Sequence, residues 1–223
     1  MSLIPKSDAD TLRQHLDAHL TAPVIVDYFT RPPRRVAVPG DEPCETCEET
    51  QLLLEEVASL SDRIQLRVHD LDTETELAGQ MGVDRAPAIV LRGAAKGRVR
   101  YLGIPAGHEF GSFLGDLIDV ASGETDLSPG TKAALQGIER DIHIQVFVTP
   151  TCPFCPGAAR LAHKLAVESG RITADVVEAG EFPDLVERYN VHGVPKVVIN
   201  EHVEFVGAQP ESRFVRELLR AAA

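Results

Sequence analysis

A chain of 223 residues, 43% hydrophobic and 25% charged, has the make-up of a globular protein and excludes collagen-like, disordered and membrane-spanning classes. Its 34 acidic against 22 basic side chains leave a net charge of -12, a balance that argues against nucleic acid or an anionic membrane as partner. No apolar stretch of the secretory or spanning kind is present, so a cytoplasmic setting is the expectation.

In chain order, residues 8–20 carry a helical pattern, with Asp8 placed to cap it and Leu12, Leu16 and Leu20 four apart. The β-rich run Val24-Ile25-Val26-Asp27-Tyr28-Phe29 reads as a strand, and a loop follows over 31–43. Cys44 is expected to open a helix whose apolar positions include Leu53, Leu54, Val57 and Leu60. A strand at 64–69, a helix at 73–81, strands at 87–92 and 97–102 and a helix at 108–121 complete this half. A turn-rich joint over 121–130 leads into a second series. It comprises a helix at 129–140, a strand at 143–148, a helix from Cys152 to about 168, a strand at 172–177, a helix at 181–190, strands at 195–199 and 202–206, and a helix at 210–221. The pattern predicts two domains, 1–122 and 123–223.

The second series is a copy of the first. Cys44 to Cys152, Cys47 to Cys155, Val83 to Val191 and Pro87 to Pro195 are each 108 positions apart, which marks a tandem duplication. Tyr28-Phe29-Thr30 set against Phe147-Val148-Thr149 gives an offset of 119, so the first half carries 119 - 108 = 11 extra residues before its cysteines. They fall in 31–43, where three basic residues and four prolines predict an exposed loop. The plain reading is a tolerated insertion, and the second is a lid or partner-docking loop.

All four cysteines lie in two C-x-x-C pairs, Cys44/Cys47 and Cys152/Cys155. In a cytosolic protein this spacing marks a redox pair or half of a metal site. The thiolate is the attacking species in disulfide exchange, and free Cys has a pKa of about 8.5. Unpaired N–H groups and the dipole at a helix start favour the anion. Three residues on, about one turn, a second thiol can break the mixed disulfide. Cys44 and Cys152 are therefore the expected nucleophiles, with Cys47 and Cys155 resolving. Cys152-Pro153-Phe154-Cys155 sets Pro153 where a helix start tolerates it. Cys44-Glu45-Thr46-Cys47 is ringed by Asp41, Glu42, Glu45, Glu48 and Glu49, whose carboxylates disfavour a thiolate, so the second site is expected to be the faster. Pro87 and Pro195, each heading an apolar run, are the other paired feature.

At these residues the chain resembles a known family. A strand, a C-x-x-C helix, a helix, a Pro-headed hairpin and a last helix look like the thioredoxin fold. Two such units, the second with Cys-Pro-Phe-Cys, resemble the two-domain protein disulfide oxidoreductases of thermophilic archaea and bacteria, also called glutaredoxin-like. The stretches 100–110, 146–156 and 191–196 carry the resemblance, which covers nearly the whole chain. It implies an α/β architecture of two tandem thioredoxin-like domains, each three-layered around a mixed sheet. It also implies cis bonds at Pro87 and Pro195, with Ala86 and Val194 before them offering backbone hydrogen bonds to an extended substrate. The implied activity is dithiol–disulfide exchange on protein disulfides, with no bound cofactor beyond the redox-active disulfides and a thioredoxin-reductase-like flavoprotein as electron donor. Thioredoxins carry a buried Asp six residues before the first cysteine that aids proton transfer at the resolving one. With the insertion removed Asp27 falls there, opposite Val146, and a solvated Asp at a sheet edge is the other reading. The 31–43 loop departs from the family pattern and bears on access to Cys44.

Two further readings stand beside this one. The four cysteines together form one zinc or iron site in the first, which the repeat argues against because each pair has its own place and its own Pro. In the second, one domain grips partners or relays electrons without acting on substrate. Of the histidines, His108 is expected at a helix start and His163 on a helix surface. Leu161, Leu165 and Val57 are expected in the core.

Overall fold

The computed structural model describes residues 3–32 and 44–222, so most of the expected insertion loop, from residue 33 on, lies outside the described residues. Sixteen elements follow one another: α1 Lys6–His19, β1 Val24–Thr30, α2 Cys47–Ala58, β2 Ile64–Asp70, α3 Thr75–Met81, β3 Ala88–Arg92, β4 Arg98–Leu102 and α4 Glu109–Ser122, then α5 Pro129–Gln136, β5 Ile142–Val148, α6 Cys155–Glu168, β6 Ile172–Glu178, α7 Pro183–Arg188, β7 Lys196–Ile199, β8 Val203–Val206 and α8 Glu211–Ala222. The fold is α/β, with two thioredoxin-like units in tandem.

Boundaries moved where local chemistry outweighed the apolar pattern. α1 starts earlier than expected, on Pro5 as N-cap, which leaves Asp8 inside the first turn, where its charge suits the dipole but caps nothing. α5 starts where the Ser128 side chain accepts from the Thr131 N–H, 3.2 Å away. It stops at Gly137, short of 140, because Ile138 turns into the core. α7 is confined between Pro183 and Asn190, whose φ of 49° breaks the helix.

The strands form one sheet of eight in the order β2-β1-β3-β4-β6-β5-β7-β8. Each half contributes four in the same internal order, and β4 lies parallel to β6 across the join. The expected independent sheets are thus fused. β1, β2, β4, β5 and β6 all point the same way, because β1–β2, β4–β6 and β5–β6 are parallel and β3 runs antiparallel to both β1 and β4. Both cysteine motifs, which follow β1 and β5, therefore emerge at the same edge of the sheet.

Alternate residues divide the sheet into two faces. Val24, Val26, Tyr28, Ile89, Leu91, Val99, Tyr101, Ile144, Val146, Val148, Ala174 and Val176 share one core with the inner faces of α2, α4, α6 and α8, and α1 and α5 join it. The other face holds Phe29, Ala88, Val90, Leu102, Phe147 and Val177 under α3 and α7.

The join is clamped on both faces. On the thinner one, Arg100 of β4 meets Asp175 of β6 in a two-pronged pair, 2.6 Å from Nε and 2.8 Å from Nη2. Burial works against the charge on Asp175, but His143 and Arg100 hold its carboxyl below the usual carboxylate range. On the thicker face α4 lies along α6, and buried Asp116 accepts from Tyr101, from Arg160 and from His163, the last at 2.6 Å. His163 is fully buried, contrary to the expected surface position, because a helix of the other half covers it. Close approach at the β3–β4 turn needs Gly97, where a Cβ would strike the Ala166, Ser169 and Ile172 carbonyl oxygens.

Candidate active site

Each C-x-x-C motif closes on itself. Cys44 is bonded to Cys47 and Cys152 to Cys155, with Cα atoms 5.4 and 5.5 Å apart. Neither Cys44 nor Cys152 opens a helix. The motif is a turn, in which the Cys152 N–H bonds back to the Thr149 carbonyl, and the helix starts only at the second cysteine, with Thr46 or Phe154 as its N-cap. The first cysteine of each pair is thus placed ahead of the unpaired N–H groups, beyond the positive end of the dipole rather than inside its first turn. Cys47 and Cys155 are buried, Cys152 is 8% exposed, and Cys44 is the most accessible of the four.

The Ala86–Pro87 and Val194–Pro195 bonds are both cis. Each proline precedes the first residue of a strand, β3 or β7, and its carbonyl accepts from a glycine beyond the hairpin, Gly103 at 2.9 Å and Gly207 at 2.8 Å. Ala86 and Val194 are half-buried.

The strand register corrects the insertion. Val24 pairs with Ile64 and Ile142 with Ile172, so the strands ahead of the cysteines are 142 - 24 = 118 apart while those after them are 172 - 64 = 108 apart. The first half is longer by ten residues, not eleven. A slip of one residue moves every side chain to the other face. Tyr28 thus takes the place of Val146, while Asp27 matches Gln145 on the face away from α2. Asp27 is buried there, neither solvated nor set against the resolving cysteine, and pairs with Arg92 Nε at 2.6 Å and His69 Nε2 at 3.0 Å.

The two sites rest on different chemistry. Below the first lie hydroxyls: Tyr28 donates to the Cys47 carbonyl at 2.7 Å, and the Thr50 hydroxyl is buried with no hydrogen-bond partner among the described residues. Burial pushes the Tyr28 phenol up to about 12. Val146 and Ala158 occupy the matching places in the second half, both of them buried. Glu48 and Glu49 load the first turn of α2 with negative charge. α6 instead opens on Cys155, Pro156, Gly157 and Ala158, none charged, and Phe154 ahead of it is 70% exposed.

One acid near the second site gives no sign of its role in the sequence. Glu109 at the start of α4 is buried, and both its carboxylate oxygens lack a hydrogen-bond partner among the described residues. Burial pushes its pKa up to about 7, with His163 opposing the rise and Asp116 adding to it. The turn carrying it is fixed to the second motif, since the His108 N–H donates to the Pro150 carbonyl at 2.9 Å and a Cβ on Gly107 (φ 60°) would strike the same oxygen. In the sequence, an acid opening an amphipathic helix looks like an ordinary first-turn residue. Its burial depends on α6 of the other half.

The thioredoxin domain family matches residues 142–220. Across 98% of its length the chain superposes on 93% of a protein disulfide oxidoreductase from Aeropyrum pernix K1, with a TM-score of 0.86 and 31% identity. The chain belongs to the protein disulfide oxidoreductase family. Its two C-x-x-C pairs make it an oxidoreductase of the thiol–disulfide kind. This oxidoreductase is also similar to the alkyl hydroperoxide reductase AhpF of Enterococcus faecalis, with a TM-score of 0.83 and 27% identity over 96% of this chain and 99% of that one. Among curated relatives, the corresponding alkyl hydroperoxide reductase of Xanthomonas campestris pv. phaseoli is 27% identical over 172 residues. The oxidoreductase spans 31% of that relative's length and 77% of its own is matched. Among the described residues no helix is long and apolar enough to cross a membrane, and no group of three or more His, Cys, Asp and Glu is placed to hold a metal ion.

Proposed function

We propose that the chain acts on protein disulfides by dithiol–disulfide exchange, with the Cys152–Cys155 site the more active of the two. The observation that carries this reading is the second motif itself, a barely exposed Cys152 ahead of an uncharged helix start and a fully buried Cys155 one turn on. With the pair reduced, the Cys152 thiolate attacks one sulfur of a substrate disulfide. That S–S bond breaks, one substrate thiolate leaves, and a mixed disulfide joins Cys152 to the other sulfur. Cys155, once deprotonated, attacks Cys152 and releases the second substrate thiolate. Two electrons pass to the substrate, and the enzyme is left with its own disulfide. A thioredoxin-reductase-like flavoprotein is the proposed donor that reopens it, in keeping with the match to part of an alkyl hydroperoxide reductase. Cys44 and Cys47 take the same two roles in the first half. Ala86 and Val194, each ahead of a cis proline, are the proposed backbone contacts for extended substrate. We place the division between the units at 122 and 123, where Gly123 (φ 70°) ends α4.

Accessibility favours Cys44 and charge favours Cys152. Charge decides, because a tenfold gain in thiolate fraction outweighs the roughly threefold loss of nucleophilicity that accompanies a lower pKa. Reduction of an insulin-type disulfide by wild type and by the two double variants tests the ranking. Cys152→Ser/Cys155→Ser should lose most of the activity and Cys44→Ser/Cys47→Ser keep most of it. Comparable activity in both variants would refute it.

Glu109 is the proposed proton acceptor for the second pair. With the carboxyl at about 7, it is half ionised near neutrality and so able to take a proton and return it. Glu109→Gln should slow the resolving step about 100-fold, with the pH dependence centred near 7 removed. The variant should also change stability in a defined direction. A carboxyl raised in the folded state binds more protons there than when unfolded, so wild-type stability is fully present below about 4.5 and falls as pH rises through about 7. Urea melts at pH 4 and pH 8 should show Glu109→Gln gaining about 3 kcal/mol on wild type at the higher pH only. A rate unchanged across that range would remove Glu109 from the mechanism.

A further inference from the structure

The first motif touches the second half of the chain. The Thr46 hydroxyl, in the turn between Cys44 and Cys47, donates to one carboxylate oxygen of Glu181 in the β6–α7 turn. The other oxygen accepts from the Ile104 N–H at 2.7 Å. Space for the carboxylate exists because Gly103 (φ 96°) has no side chain; a Cβ there would lie 2.8 Å from it. Thr46 is the N-cap of α2, yet its side chain caps nothing. Its hydroxyl is turned toward Glu181 instead. A carboxylate from the far half is therefore seated beside the positive end of the helix that would stabilise a Cys44 thiolate.

We propose that Glu181 is a positioning residue for the Cys44–Cys47 site, which holds the Thr46 turn and disfavours the Cys44 thiolate across the join. This rests on the exchange reading above, in which Cys44 attacks as a thiolate. One helix terminus offers about half a unit of positive charge, confined to its first turn. Glu181 draws on the same field, so a second anion at Cys44 forms against it. The groups facing Glu181 are Glu178 on its own turn, Glu49 on α2 and the Tyr28 phenol on β1, none of them cationic. Arg85 of the Pro87 loop is engaged by Asp84 and Asp184 at 3.1 and 3.0 Å. Burial raises the Glu181 carboxyl, and the Thr46 and Ile104 hydrogen bonds hold the rise in check. The second site has Phe154, with no hydroxyl to make such a bond, in the place of Thr46, so the device acts on one site only.

Thiolate absorbance and iodoacetamide alkylation against pH, in the full chain carrying Cys152→Ser/Cys155→Ser and reduced beforehand, read the effect directly. Glu181→Gln keeps an acceptor for Ile104 and removes the charge. The Cys44 midpoint should fall by about one pH unit, a tenfold gain in thiolate fraction that, less the accompanying loss of nucleophilicity, makes alkylation about threefold faster below the midpoint. Glu181→Asp keeps the charge and should return the midpoint to near the wild-type value. In the Cys44→Ser/Cys47→Ser chain, Glu181→Gln should leave the Cys152 midpoint where it was. An unmoved or raised Cys44 midpoint in Glu181→Gln overturns the assignment, and so does an equal shift in Glu181→Asp, which would mean lost packing rather than lost charge. Insulin reduction by the otherwise unsubstituted chain is measured alongside. Its absence would overturn the exchange reading while the titrations still decide the role of Glu181.

Discussion

A Cys155→Ser chain is expected to stop with its substrate attached. Cys152 stays able to attack, so a substrate disulfide still opens and one mixed disulfide forms per chain. The group that would break it is then a hydroxyl, far too basic as an alkoxide to attack sulfur near neutrality. Turnover should fall to the slower rate of the first site, and the covalent complex should persist until a thiol reductant is added. Cys155 is fully buried, so water has little access to the trapped bond, and the serine hydroxyl costs about 1–3 kcal/mol if it finds no partner. Non-reducing gels and intact mass should show the adduct in Cys155→Ser but not in Cys152→Ser/Cys155→Ser. An adduct of equal yield on Cys44 of a Cys47→Ser/Cys152→Ser/Cys155→Ser chain would mean that the first site captures substrate as readily.

The second large effect concerns stability. Asp116 is buried and accepts from three residues, Tyr101 of its own half and Arg160 and His163 of the other. Burial alone would raise its pKa, but His163 and Arg160 beside it hold the carboxyl below the usual carboxylate range. Asp116→Ala leaves a buried histidine facing no carboxylate, a phenol with no acceptor and an arginine with only Asp119, 2.6 Å away. Removing one member of such a buried set costs about 3–5 kcal/mol. Asp116→Asn, which keeps an acceptor but not the charge, should cost less. Urea unfolding with the slope checked for a single transition measures both. A loss below about 1 kcal/mol in Asp116→Ala would show that the network contributes little to the join.

How far the chain could be read without coordinates followed the range of the forces involved. Strand and helix order and the cysteine pairs were legible, because each depends on residues within a few turns of one another, and the duplication because those local patterns recur at a fixed offset. Where a local signal competed with the apolar pattern, as Pro5 did against Asp8 or Gly137 against residue 140, only the boundary shifted. Several of the larger misses lie at the join. His163 looked like a surface residue because the helix that buries it belongs to the other half. Glu109 and Glu181 drew no reading at all, since each meets residues of the other half. Asp27 was misplaced by a single position, since the aromatic residues Tyr28 and Phe147 invite an alignment that the ladder register rejects. Side-chain similarity cannot see which face a strand residue takes, whereas hydrogen bonding to the neighbouring strand fixes it.

An unbroken sheet also sets a span. β1 and β5 are four strand positions apart in the order β1-β3-β4-β6-β5, which at about 4.8 Å per step is roughly 19 Å. The two disulfides thus sit on one rim of a continuous sheet, too far apart for a sulfur of one pair to reach the other. Six or so residues of extended polypeptide cover that distance. Traffic of electrons between the two centres therefore has to be carried by whatever lies along the rim. A client chain whose cysteines are spaced to reach both meets the second at high effective concentration once it has been caught by the first.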